Sequence, residues 1–156
     1  MRLNDQNLIR AAINVAFKSR ENGNHPFGAL LVDRNGNILM EAENTVITGK
    51  DCTGHAETNL MRKASKKYDA EFLAGCSLYT STEPCPMCSG AIFWGDVGRV
   101  VYAVSQKRLH SLMGEKTREV LLITCREVFD KGKKSIEVVG PILEDEAIRA
   151  HEGFWI

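Results

Sequence analysis

The sequence predicts an α/β fold in which helices cover both faces of a central sheet. Three observations carry this reading. Helical and strand-like patterns alternate along the chain, in the order α-β-β-α-β-α-β-(α)-β-α. Short apolar runs such as Phe27-Gly28-Ala29-Leu30-Leu31-Val32 are typical of strands buried on both faces. No repeat, linker or low-complexity tract divides the 156 residues, so one domain is drawn over 1–156.

Residues 5–19 have helical spacing, with Leu8, Ile9, Ala12, Ile13, Ala16 and Phe17 on one side. The apolar run from Phe27 is a strand, and Asp33-Arg34-Asn35-Gly36-Asn37 turns it back into a second strand from Ile38 to about Glu43. A polar loop, 44–54, delivers His55, and a helix runs from Ala56 to about Lys67. Arg62, Lys63, Lys66 and Lys67 read as its solvated face and cationic end. Strands are expected at Cys76–Thr80, Arg99–Val104 and Ser135–Val139. Further helices are expected at Met87–Trp94, in part of Glu115–Phe129, and from Glu144 to about Glu152.

Composition excludes several function classes. Twenty basic and twenty acidic side chains give zero net charge, which speaks against a nucleic-acid partner. No apolar run is long enough to span a membrane, and the N-terminus has no apolar signal region, so a cytoplasmic location is expected. Five cysteines, two of them in one C-x-x-C, make a disulfide scaffold a poor reading.

The chemistry lies in His55-Ala56-Glu57 and Pro84-Cys85-Pro86-Met87-Cys88. Two cysteines three apart at a helix start share one face, where the positive end of the helix dipole favours thiolates. With His55 they make three protein ligands and leave one position open, the pattern of a catalytic zinc site, with one Zn2+ per subunit. Two thiolates already balance the charge of the ion, so water there is less acidic than beside three histidines. A nearby base is then needed, and Glu57 is placed to take the proton and later pass it to a leaving amine. A redox C-x-x-C would not use the histidine, and a structural zinc site would want a second C-x-x-C that the chain lacks.

H-x-E…P-C-x-x-C is the signature of zinc deaminases, and the chain resembles the cytidine deaminase superfamily in element order and motifs. Pro26-Phe27-Gly28-Ala29, Gly54-His55-Ala56-Glu57 and Tyr79 through Trp94 look most like bacterial guanine deaminases. The resemblance implies a three-layer α-β-α sandwich around a five-stranded mixed sheet, and a homodimer. It implies zinc-hydroxide attack on an aminated free heterocycle, guanine first, with ammonia as product. Cytosine or nucleoside deamination, or a tRNA-specific adenosine deaminase, are the alternatives.

The resemblance also suggests substrate contacts. Asn44 matches an asparagine that hydrogen-bonds the base, and Phe27 matches a stacking ring. Ala56 lies between ligand and acid-base residue, and Trp94 is placed at the pocket. Phe154 and Trp155 are candidates for an aromatic segment that closes the pocket, within the chain or across a dimer. No residue matches the aspartate that contacts the purine amino group in guanine deaminases. Cys52, Cys76 and Cys125 read as small buried residues, and His25 as a turn residue, with substrate contact as the second reading of Cys52 and pocket lining as that of His25. His110 and His151 lack ligand-like spacing and read as surface or packing residues, with entry into the site as the second reading of His110.

Overall fold

A computed structural model describes residues 2, 4–114 and 120–155. Its helices are α1 (Asp5–Glu21), α2 (Val46–Gly49), α3 (Ala56–Lys67), α4 (Ala70–Ala74), α5 (Pro86–Trp94), α6 (Gln106–Met113), α7 (Cys125–Asp130) and α8 (Glu144–Ala147). A single 3-10 turn, Ile148–His151, continues α8. The strands are β1 (Gly28–Val32), β2 (Ile38–Glu43), β3 (Ser77–Thr82), β4 (Arg99–Val104) and β5 (Glu137–Val139).

The strands form one five-stranded sheet in the order β2-β1-β3-β4-β5. β1 runs antiparallel to both β2 and β3, whereas β3, β4 and β5 are parallel. The sheet is therefore mixed, as the resemblance implies. Every residue of β1, β3 and β4 is buried, which is why these strands read as continuous apolar runs.

Strand periodicity sorts the core into two layers. Ala29, Leu31, Leu78, Val100 and Tyr102 point to the face covered by α3, α5 and α7, with Leu60, Met61, Ile92 and Phe129. Leu30, Val32, Tyr79, Val101 and Ala103 point to the face covered by α1, α6 and α8, with Ile9, Ile13, Leu109 and Ala147. At Gly28 a Cβ would come within 2.6 Å of the Ala12 carbonyl oxygen and the Ala16 nitrogen, so α1 lies directly on β1 only because that residue is glycine. A buried clamp fixes the other end of α1. Arg99 donates to both Asp5 carboxylate oxygens at 2.9 and 2.7 Å, and the Tyr79 hydroxyl donates to the same group at 2.6 Å.

Several expected boundaries change. The loop 44–54 contains the turn of helix α2. The last helix ends as a 3-10 turn at His151 rather than near Glu152. Of the expected partial helix at Glu115–Phe129, residues 115–119 lie outside the described residues, and the helix found is α7. Helix α6 is an element that the sequence patterns above do not predict. Phe17 is 38 % exposed instead of facing the core. Among the described residues no helix is long and apolar enough to cross a membrane.

Candidate active site

Two helix N-termini meet at the carboxyl ends of β3 and β4. His55 is the N-cap of α3 and Cys85 the N-cap of α5, both in extended backbone. Pro86 at the first helical position has the φ a helix start needs and no N–H to leave unpaired. Cys88 follows within the first turn, so both sulfurs sit at the positive end of the helix dipole. Asn59 secures the loop that carries His55: its amide donates to the carbonyls of Glu43 and Gly54 and to the Thr45 hydroxyl. Gln106 and Ser89 both donate to the Pro84 carbonyl, at 2.8 and 3.3 Å, and steady the loop before Cys85.

His55 Nδ1 lies 3.4 Å from Cys85 Sγ and 3.5 Å from Cys88 Sγ. A tetrahedral zinc bound at ~2.0–2.1 Å to nitrogen and ~2.3 Å to sulfur would hold those atoms roughly 3.5 Å apart. The three ligand atoms all fall within 4.8 Å of one another, so the donor set fits the ion in both chemistry and spacing. Hydrogen bonds from Cys88 and from His55 pull the Cys85 pKa down to about 4 against the cost of burial. The same contact with Cys85 raises the His55 imidazole. Thr58 Oγ1 lies 3.2 Å from Cys88 Sγ and fixes that sulfur from the first turn of α3. The cofactor expectation holds: His55, Cys85 and Cys88 come together as a donor set fit for zinc.

Glu57 is 5 % exposed beside these ligands, and Thr80 Oγ1 donates to its Oε1 at 2.7 Å. Burial raises its carboxyl pKa, while hydrogen bonds from Cys88 and Thr80 and the charge of His55 oppose the rise.

A cavity of about 360 Å³ opens from this cluster. His55, Glu57 and Cys85 form one end. His25, Phe27, Cys52 and Trp155 form one wall, and Gln106, Leu109, His110 and Met113 of α6 form another. Glu83 also lines it, but its carboxylate already accepts from the Gln106 backbone N–H and the Cys125 thiol. Burial lowers the pKa of both His25 and His110, with His55 adding to the effect at His25 and Glu83 opposing it at His110.

Phe27 and Trp155 thus stand on the cavity wall, and four other sequence candidates do not. Asn44 is buried, and its Oδ1 accepts from the Val46 N–H to start α2. Ala56 packs in the core. Trp94 is 79 % exposed, because it sits two turns down α5 from the ligands, at the wrong end of the helix. Phe154 backs the wall instead of lining it, edge-on to Trp155 at 4.8 Å and to His25 at 5.6 Å. The aromatic segment closes on the cavity of its own chain.

Part of the wall comes from residues for which the sequence offers the pocket only as a second reading. His25 and His110 line the cavity, and Cys52 is exposed there instead of buried. His110 ranks low as a site residue in sequence because α6, which carries it, is not predicted. The missed signal was Ser105, whose hydroxyl caps α6 by accepting from the Arg108 N–H, followed by Leu109 and Met113 four apart.

Comparison with known proteins places this geometry. The chain is 45% identical over 153 residues to a probable cytosine deaminase of Schizosaccharomyces pombe, covering 97% of this chain and 92% of that protein. It is 43% identical over 102 residues to a guanine deaminase of Bacillus subtilis, covering 65% of each. The solved guanine deaminase of Nitrosomonas europaea shares the fold, with a TM-score of 0.78 at 23% identity over 92% of this chain and 80% of that one. Residues 2–104 match the cytidine and deoxycytidylate deaminase zinc-binding region. That match spans both ligand-bearing motifs, and the chain therefore belongs to this family of zinc-dependent deaminases.

Proposed function

We propose that the chain hydrolyses the amino group of a free nucleobase, with a cytosine-type aminopyrimidine as its first substrate and guanine as the second reading. The observation that carries the deamination is the buried Glu57 carboxylate beside three atoms spaced for zinc. When bound, the ion supplies Lewis acidity at the corner that His55, Cys85 and Cys88 leave open. Glu57 takes one proton from the attacking water and gives it to the ring nitrogen, then takes the proton of the newly added hydroxyl and gives it to the departing amine. Water adds to the amino-bearing carbon, the C–N bond breaks, and a ring carbonyl and ammonia result. Thr80 holds the carboxylate for this transfer through its bond to Oε1.

The choice of ring rests chiefly on the relatives. Guanine carries one amino group, the one that is removed, with the N1–H donor and the C6 carbonyl beside it. Among the described lining residues the carboxylates are Glu57 and Glu83, and Glu83 is already engaged. Imidazoles at His25 and His110 suit a ring carbonyl, which cytosine and guanine both carry. The match to the probable cytosine deaminase covers 97% of this chain and so includes the α6 segment, whereas the match to the guanine deaminase leaves about a third of the chain uncovered. Guanine stays in view because the motifs around both ligand sites resemble guanine deaminases. Phe27 and Trp155 would then stack on the ring. A wall of Trp155 from the same chain favours a small molecule over a polynucleotide.

Ammonia release from cytosine, guanine, adenine and their nucleosides tests the reading. Release from cytosine or guanine supports it, and activity on tRNA with none on any of these would overturn it. The chain acts as one deaminase domain and as a homodimer, for which exposed Trp94, Leu121 and Leu122 offer apolar surface. Light scattering should then give twice the 17.3 kDa chain mass.

A further inference from the structure

We propose that His151 is a positioning residue for the substrate cavity: it accepts the indole N–H of Trp155 and so holds that ring as a cavity wall. The inference rests on the deaminase reading of the cavity. Trp155 Nε1 lies 3.0 Å from His151 Nδ1. An indole can only donate, so Nδ1 carries the lone pair, and the His151 proton sits on Nε2. The two rings lie 15° from parallel at 6.1 Å, and Phe27 meets His151 edge-on at 5.2 Å. Trp155 and Phe27 both face the cavity, whereas His151 does not.

The choice of histidine is otherwise costly. His151 is 1 % exposed, and its Nε2 has no hydrogen-bond partner among the described atoms. A buried donor without a partner opposes folding, and a phenylalanine would fill the space without that cost. What histidine adds is the acceptor for Trp155. Burial lowers its pKa to about 4, which keeps the ring neutral and the acceptor in place near neutral pH.

The tail backbone is fixed separately. Arg20 donates to the carbonyls of Ala150 and Glu152 at 3.0 and 2.6 Å, and its guanidinium lies over the Phe154 ring at 5.5 Å. Arg20 anchors the segment, and His151 sets the orientation of the one indole within it that reaches the cavity.

The test uses zinc-loaded protein carrying Trp94→Phe, which leaves Trp155 as the sole indole. His151→Phe and His151→Asn are added to this parent. The Asn Oδ1 stands where Nδ1 stood, so it keeps an acceptor. His151→Phe should shift Trp155 emission to the red and raise KM about tenfold for the base the parent turns over fastest, with kcat within about twofold. His151→Asn should restore the parent emission and bring KM back to within about threefold. Parent-like emission and KM in His151→Phe would overturn the proposal, as would His151→Asn failing to restore either. If His151→Phe does not fold by circular dichroism, Trp155→Phe decides: it removes the N–H and keeps a ring, and an unchanged KM overturns the proposal. The emission measurement needs no turnover, so a parent that releases no ammonia would refute the functional reading while leaving this one to be decided by fluorescence.

Discussion

Thr80 reaches Glu57 from the sheet with a side-chain hydroxyl, a 2.7 Å bond made in full burial. Thr80→Val should lower kcat about ten- to a hundredfold without loss of bound zinc, measured by ammonia release beside metal content. His151 bears on pH instead. Its folded pKa of about 4 lies below the ordinary 6.5, chiefly from burial and then from the charge of Arg20. A depressed pKa means the folded state prefers the neutral ring. That contribution is complete above about pH 6.5 and is lost as pH falls toward about 4. Urea midpoints should therefore fall more between pH 7 and pH 4.5 for the native chain than for His151→Asn. The residues that hold metal were readable because zinc demands fixed donor types at short spacings, and His55, Cys85 and Cys88 meet that demand in the linear sequence. His110 and His25 were readable as cavity residues only as a second reading, because wall positions carry no spacing rule and depend on which helices close over the sheet.

Helices α3 and α5 were legible nearly to the residue, since caps, apolar spacing and the ligand motifs all agree there. Helix α6 has two charged residues and two hydroxyls among nine from Ser105 to Met113, and its apolar contacts with the sheet become visible only in three dimensions. Helix α1 was legible from its apolar stripe, but its clamp was not. Asp5 is separated from Arg99 by 94 residues and meets it fully buried, with side-chain exposures of 3 % for Arg99 and 0 % for Asp5. Asp5→Asn leaves Arg99 without its charge partner and should cost about 3–5 kcal/mol in denaturant unfolding. Burial opposes ionisation of Asp5, but the hydrogen bonds from Arg99 and Tyr79 outweigh it and hold its pKa at about 2. Since that pKa is depressed, the clamp contributes fully above about pH 4 and is lost as pH falls toward about 2.

The molecule as a whole joins two halves at the ion. His55 and the two cysteines are thirty or more residues apart and come from helices that pack on the same face of the sheet. Zinc therefore acts as a tie between α3 and α5 as well as a cofactor, and binding energy of that kind adds to folding stability. Removing it with a chelator should lower the melting temperature by on the order of 10 °C, and one equivalent of zinc should restore it. The two helical layers followed from the alternation of patterns, because strands buried on both faces leave little else for the intervening segments to do, whereas the mixed strand directions were implied by the family resemblance.

Ammonia release by the zinc-loaded chain, measured beside Glu57→Ala at matched zinc content, bears on the whole mechanism. The native chain should release ammonia from cytosine or guanine, and Glu57→Ala should keep its zinc and lose at least about a hundredfold in kcat. A Glu57→Ala chain that binds zinc and turns over base at the native rate would contradict proton transfer by the buried carboxylate.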